Sequence, residues 1–139
     1  MTVATALGLD HVDLSVGDMV RSVAFYDAVL TALGFRQVDD SSTVVWHSPA
    51  MEIGIRAARS PAPPGGVDRY RVGLHHLAFR VAGRDDVDRF HAFLLESGFP
   101  VLDPPASYPD YEPGYYAVFF ADPDGMKLEV VCRDRDAPA

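Results

Sequence analysis

A chain of 139 residues, 48% hydrophobic and 23% charged, suits one compact domain or two half-size modules and excludes a disordered tail. Its formal net charge of −8 is spread along the sequence with no basic stripe, so a nucleic-acid surface is not expected. Cys132 is the single cysteine and cannot close an internal disulfide. Met1–Leu9 has no basic stretch, and nowhere do about 18 apolar residues run together. A reducing, cytoplasmic setting without a membrane partner is therefore expected.

The first predicted strand is Leu9–Val16. Asp18 can cap a helix over Met19–Leu33, in which Val20, Val23, Tyr26, Leu30 and Leu33 recur at spacings of three and four. Gly34 suits the left-handed residue that commonly closes a helix. Short strands are expected at Arg36–Asp39, Thr43–His47 and Met51–Ala57. Ser60-Pro61-Ala62-Pro63-Pro64-Gly65-Gly66 then breaks regular structure, inside a connector spanning 58–73. A strand at Leu74–Val81 follows, then a helix from Asp85 or Asp86 to about Ser97. Its apolar stripe is Val87, Phe90 and Leu94, and Gly98 stops it. Beyond the proline- and tyrosine-rich segment Pro104–Pro113 come strands at Tyr115–Ala121 and Met126–Cys132. Asp122-Pro123-Asp124-Gly125 between them is a hairpin turn signal.

The chain says nearly the same thing twice. Leu9-Asp10-His11-Val12-Asp13-Leu14-Ser15-Val16 is echoed by Leu74-His75-His76-Leu77-Ala78-Phe79-Arg80-Val81, and Leu33-Gly34-Phe35 by Ser97-Gly98-Phe99. The offset is 65 residues between His11 and His76, and 64 between Gly34 and Gly98. Two copies at so long a period mark a duplicated module, not a solenoid. Modules at 9–57 and 74–132 each read β-α-β-β-β. The expected fold class is α+β, with two such sheets pairing into a curved, partly closed mixed barrel that has helices outside and a cleft within.

Strand side chains alternate between faces, which sorts residues between core and cleft. Val12, Leu14 and Val16 go to the core, with His11, Asp13 and Ser15 opposite. Leu77, Phe79 and Val81 leave His76 opposite and His75 on the core side. Met51, Ile53 and Ile55 leave Glu52 and Arg56, while Met126, Leu128, Val130 and Cys132 leave Lys127, Glu129 and Val131. Four polar candidates emerge on the cleft face: His11, Glu52, His76 and Glu129. A lone histidine in a strand is ordinarily a surface residue, and a glutamate there a solvated one. What singles these out is that both halves offer a His and a Glu. Two imidazoles and two carboxylates suit a divalent zinc, iron, nickel, cobalt or manganese ion, and the lack of thiolate argues against a closed structural zinc site.

At these residues the chain resembles the vicinal oxygen chelate superfamily: glyoxalase I, fosfomycin- and bleomycin-resistance proteins, extradiol dioxygenases and methylmalonyl-CoA epimerase. The matching text is His11-Val12-Asp13-Leu14, Arg21-Ser22, Phe25-Tyr26, Leu33-Gly34-Phe35, His76-Leu77-Ala78-Phe79 and Phe119-Phe120-Ala121-Asp122-Pro123-Asp124-Gly125-Met126-Lys127-Leu128-Glu129. The resemblance implies paired βαβββ modules around a metal cleft, with His11, His76 and Glu129 as ligands. Glu52 matches the fourth ligand of the glyoxalase I branch. It further implies a lyase or isomerase acting on a small substrate chelated through vicinal oxygens, with Glu129 or Glu52 moving a proton. A homodimer is implied as well, with the site inside one chain or across two. Two competing readings stand beside it: a protein of this fold that sequesters a drug or metabolite, and an extradiol-type dioxygenase. Trp46 and Arg56 are candidate pocket residues by the same alternation. Tyr111 and Tyr115 either stack on a substrate or pack the rim of the cleft.

Overall fold

The structure, a computed structural model, describes residues 1–133. The chain divides into two compact units, the first Met1–Pro61 and the second beginning at Ala62. Each holds one βαβββ module, so the chain is α+β with two mixed four-stranded sheets.

In the first unit the order is β1 (His11–Val16), α1 (Met19–Ala32), β2 (Arg36–Asp40), β3 (Thr43–His47) and β4 (Glu52–Ala57). The sheet runs β1-β4-β3-β2, with β1 parallel to β4 and the other pairs antiparallel. As expected, the Asp18 side chain accepts a hydrogen bond from the Arg21 N–H at 3.1 Å and caps α1. Gly34 at φ +88° ends the helix: its N–H donates to the Thr31 carbonyl (3.0 Å), and the Phe35 N–H to that of Leu30 (2.8 Å). These paired bonds satisfy two carbonyls that a helix end otherwise leaves open. The buried stripe of α1 is Ser22, Phe25, Tyr26, Val29 and Leu30. The expected stripe was rotated from this one, since Val20 is exposed and only Tyr26 and Leu30 are shared. A helix rich in valine and alanine all round offers several apolar spacings, and the bulk of Phe25 beside Tyr26 selects the face.

The second unit repeats the order: β5 (His76–Arg80), α2 (Arg84–Ser97), β6 (Val101–Ser107), β7 (Tyr116–Ala121) and β8 (Lys127–Cys132), in a sheet β5-β8-β7-β6. Val87, Phe90 and Leu94 are the buried stripe of α2, as expected. Gly98 at φ +72° closes the helix, and the Phe99 N–H donates to the Leu94 carbonyl at 3.0 Å. Thus the Gly34-Phe35 and Gly98-Phe99 echoes are the same helix stop used twice. The Asp122–Gly125 turn also forms, with Gly125 at φ +85° and the Asp122 carboxylate accepting from the N–H groups of Asp124 and Met126 at 2.9 and 2.8 Å.

Strand β6 corrects the sequence reading, which left Pro104–Pro113 without regular structure. Pro104 and Pro105 lie within β6, at the sheet's edge, where the pairing with β7 slips between Asp103 and Ala106. An edge strand needs N–H donors on one side only, and a bulge accommodates residues that have none. The connector is likewise anchored: the Val67 N–H donates to the Asp124 carbonyl at 2.9 Å, and a Cβ on Gly66 would meet that oxygen at 2.6 Å. Among the described residues no helix is long and apolar enough to cross a membrane.

Candidate functional site

Each sheet has one face under its helix and one face carrying the polar candidates. In the first unit the parallel register sets His11 opposite Glu52, Asp13 opposite Gly54 and Ser15 opposite Arg56. His11, Asp13, Glu52, Gly54 and Arg56, with Thr43 and Val45 from β3, line a cleft of about 280 Å³. His11 Nδ1 lies 2.7 Å from Asp10 Oδ2. This bond, reinforced by the charges of Asp10 and Asp13, raises the His11 pKa above the ordinary imidazole value. Arg56 donates to the Asp13 carboxylate at 2.8 Å, so the expected pocket arginine does face the cleft but arrives with an ion-pair partner. Gly54 leaves room for that carboxylate, because a Cβ there would sit 2.4 Å from Asp13 Oδ1.

In the second unit a cleft of about 290 Å³ is lined by His75, His76, Tyr111, Tyr115, Phe119, Lys127, Glu129 and Arg133. Glu129 is 1% exposed and stands opposite Ala78 on one side and Phe119 on the other. Its Oε1 is 3.3 Å from His76 Nε2, and its Oε2 accepts a hydrogen bond from the Tyr115 hydroxyl. Burial and the bond to Glu129 push the Tyr115 phenol well above its ordinary range. His76 Nδ1 is 2.8 Å from His75 Nδ1, so one of the two nitrogens carries the shared proton. Desolvation, helped by the charges of His76, Lys127 and Arg69, lowers the pKa of His75.

The His76–Glu129 pair fits a divalent cation. Two donors bound tetrahedrally at about 2.1 Å lie roughly 3.4 Å apart, close to the separation seen here. A carboxylate this buried calls for a cation or hydrogen-bond donors; Tyr115 takes one oxygen, and the other faces the His76 imidazole nitrogen. Among the described residues, no group of three or more His, Cys, Asp or Glu side chains is drawn together closely enough to hold a metal. The four expected donors thus stand as pairs, His11 with Glu52 on the first sheet and His76 with Glu129 on the second.

The registers correct one premise and one residue. His76 stands opposite Lys127 just as His11 stands opposite Glu52, so the counterpart of Glu52 is Lys127 and the counterpart of Glu129 is Gly54. The two glutamates share a face type but not a row. Trp46 does not line the cleft. It is fully buried on the helix side, with its Nε1 donating to Asp27 Oδ1 at 2.9 Å and its ring 6.5 Å from that of Tyr26. The cleft face of β3 belongs to Thr43, Val45 and His47, which lie opposite Arg56, Gly54 and Glu52. Tyr111 and Tyr115 are both at the second cleft. Tyr115 is buried, whereas Tyr111 is largely exposed and stacks on Tyr108 at 5.3 Å and 8°.

The family description "Glyoxalase/Bleomycin resistance protein/Dioxygenase superfamily" matches residues 8–130. The chain belongs to this superfamily. It is 34% identical over 129 residues to the uncharacterized protein YqjT of Bacillus subtilis (strain 168), covering 88% of this chain and 97% of that one. It is 28% identical over 125 residues to the metallothiol transferase FosB of Shouchella clausii (strain KSM-K16), covering 88% of this chain and 78% of that one. Among solved structures it is similar to a candidate glyoxalase of Bacillus halodurans, with a TM-score of 0.74, 32% identity and coverage of 89% and 94% of the two chains.

Several residues at the second cleft were not among the sequence candidates. His75 was assigned to the core side, yet it precedes β5, where strand alternation does not apply, and its ring meets that of His76 at 5.0 Å. Lys127 places its Nζ 4.3 Å from the Phe119 ring, and Arg133 lies 4.9 Å over Tyr115 while pairing with Glu112. Lys127 shared the face of Glu129 in the sequence, which was the available signal; nothing marked Arg133.

Proposed function

We propose that this chain is a divalent-metal enzyme of the glyoxalase I kind, a lyase or isomerase acting on a small substrate chelated through vicinal oxygens. The observation that carries the reading is the His76 Nε2–Glu129 Oε1 pair, 3.3 Å apart on a buried cleft wall. The proposed donors are His76 and Glu129 from the second unit and His11 and Glu52 from the first. A divalent cation, when bound, supplies polarisation of a carbonyl or enediolate oxygen. The chain's own groups do the rest. Phe119 and Tyr111 give the substrate an apolar wall, and Lys127 offers an ammonium to an anionic group. The carboxylate of Glu52 or Glu129 accepts a proton from the carbon beside a carbonyl and returns it to the neighbouring carbon.

A second reading, thiol transfer to a small electrophile, is supported by the similarity to the metallothiol transferase FosB. It is supported also by Gly54 at the row where a second glutamate would mirror Glu129. The test is turnover by protein reloaded with zinc, nickel, cobalt, manganese or iron(II). Isomerisation of thiol–ketoaldehyde hemithioacetals, abolished by chelator, is the expected result. Thiol addition to a phosphonate epoxide, with inert hemithioacetals, would favour the second reading. Oxygen uptake with catechols would favour a dioxygenase. Binding of aromatic compounds that is unchanged by chelator, without turnover, would replace all three by sequestration.

A further inference from the structure

We propose that Tyr115 is the positioning residue of Glu129: its phenol occupies Oε2, so that Oε1 alone is presented toward His76. The inference rests on the metal reading above and concerns only the second unit's half of the site.

Tyr115 immediately precedes β7 and shares the inner face of the sheet with Ala117, Phe119 and Val131, all buried together. Glu129 stands opposite Phe119, two rows further along that face, and the tyrosine ring is long enough to reach it. The ring is held on several sides. It meets Tyr108 edge-on at 6.2 Å and 89°, Tyr111 at 5.2 Å and 83°, and lies 4.9 Å beneath the Arg133 guanidinium. Arg133 is itself paired with Glu112. The backbone is fixed too: the Tyr115 N–H donates to the Glu112 carbonyl (3.1 Å), and its own carbonyl accepts from the Tyr108 N–H (2.8 Å).

A hydrogen bond to a carboxylate is among the stronger kinds, and at 1% exposure Glu129 has little water to replace it. An unrestrained carboxylate turns about its last torsion and presents either oxygen or both. The Tyr115 bond selects one orientation before a cation arrives. The ordering therefore belongs to the folded protein and is not charged to the binding step. Partners of ligating groups commonly alter metal affinity about 10- to 100-fold.

Calorimetric titration of metal-free protein with Co²⁺ tests this. Tyr115→Phe removes one oxygen and keeps the ring; it should weaken binding about 10- to 100-fold and shift the visible absorption of bound Co²⁺. Tyr116→Phe, whose phenol donates to Asp88 of α2, should bind as the wild type does. In the wild type itself, Co²⁺ should perturb the near-ultraviolet circular dichroism of tyrosine, a readout that does not depend on any variant folding. Wild-type affinity and spectrum in Tyr115→Phe, or no tyrosine perturbation in the wild type, would overturn the positioning role and leave the metal reading standing. No Co²⁺ binding by the wild type would overturn both.

Discussion

Trp46 and Gly54 neighbour each other's rows on one sheet, yet they belong to opposite faces and have opposite consequences. Trp46 fills the space under α1 and satisfies its indole N–H on Asp27. Trp46→Phe should therefore cost about 2 kcal/mol in urea unfolding, from lost packing and the loss of the bond to Asp27. It should leave Co²⁺ affinity unchanged. Gly54→Ala should do the reverse. The new Cβ displaces the Asp13 carboxylate from Arg56, a partly exposed pair worth under about 1 kcal/mol, so the melting curve barely moves while the cleft is rearranged. Alternation put Glu52 and Arg56 on the cleft face of β4 correctly, because the isoleucines between them have only one core to enter. It could not give the row. That depends on strand register, which is a property of two strands and their connections, and so the offset between Glu52 and Glu129 was not legible.

At the scale of elements, the helix stops were legible because each rests on a local rule. Gly34 and Gly98 sit at φ +88° and +72°, a region where a Cβ is strained, with no neighbouring atom within 4 Å of the site. Alanine at either should cost about 1 kcal/mol, read from the shift in denaturation midpoint. Strand β6 was not legible, since Pro104 and Pro105 forbid a central strand and nothing local announces an edge. Helix α2 is tied to β7 by the hydrogen bond from Tyr116 to Asp88, 2.6 Å long. That bond, then desolvation, raises the Tyr116 pKa from its ordinary value of 10.0. A raised folded-state pKa means the contribution is complete below the unfolded value and is lost as pH climbs through the folded one. The stability advantage of the wild type over Tyr116→Phe should therefore be constant to about pH 9 and shrink above pH 10, as urea titrations across that range would record.

For the whole molecule, duplication is what made the fold readable: two βαβββ modules with the same glycine stop after the helix and the same strand order. It also explains where the reading of the site fell short. Duplicated strands keep their pattern of faces while individual rows diverge, so the His11 row pairs with a glutamate and the His76 row with a lysine. The second unit's cleft is also lined by residues outside the echoed segments, Tyr115 and Arg133 among them. The central claim is that His76 and Glu129 hold a divalent cation. Titration of metal-free wild type, His76→Ala and Glu129→Gln with Co²⁺ tests it most directly. The account predicts saturable binding by the wild type and a loss of at least about 10-fold in each variant. Absence of binding by the wild type, or equal affinity in all three, would contradict it.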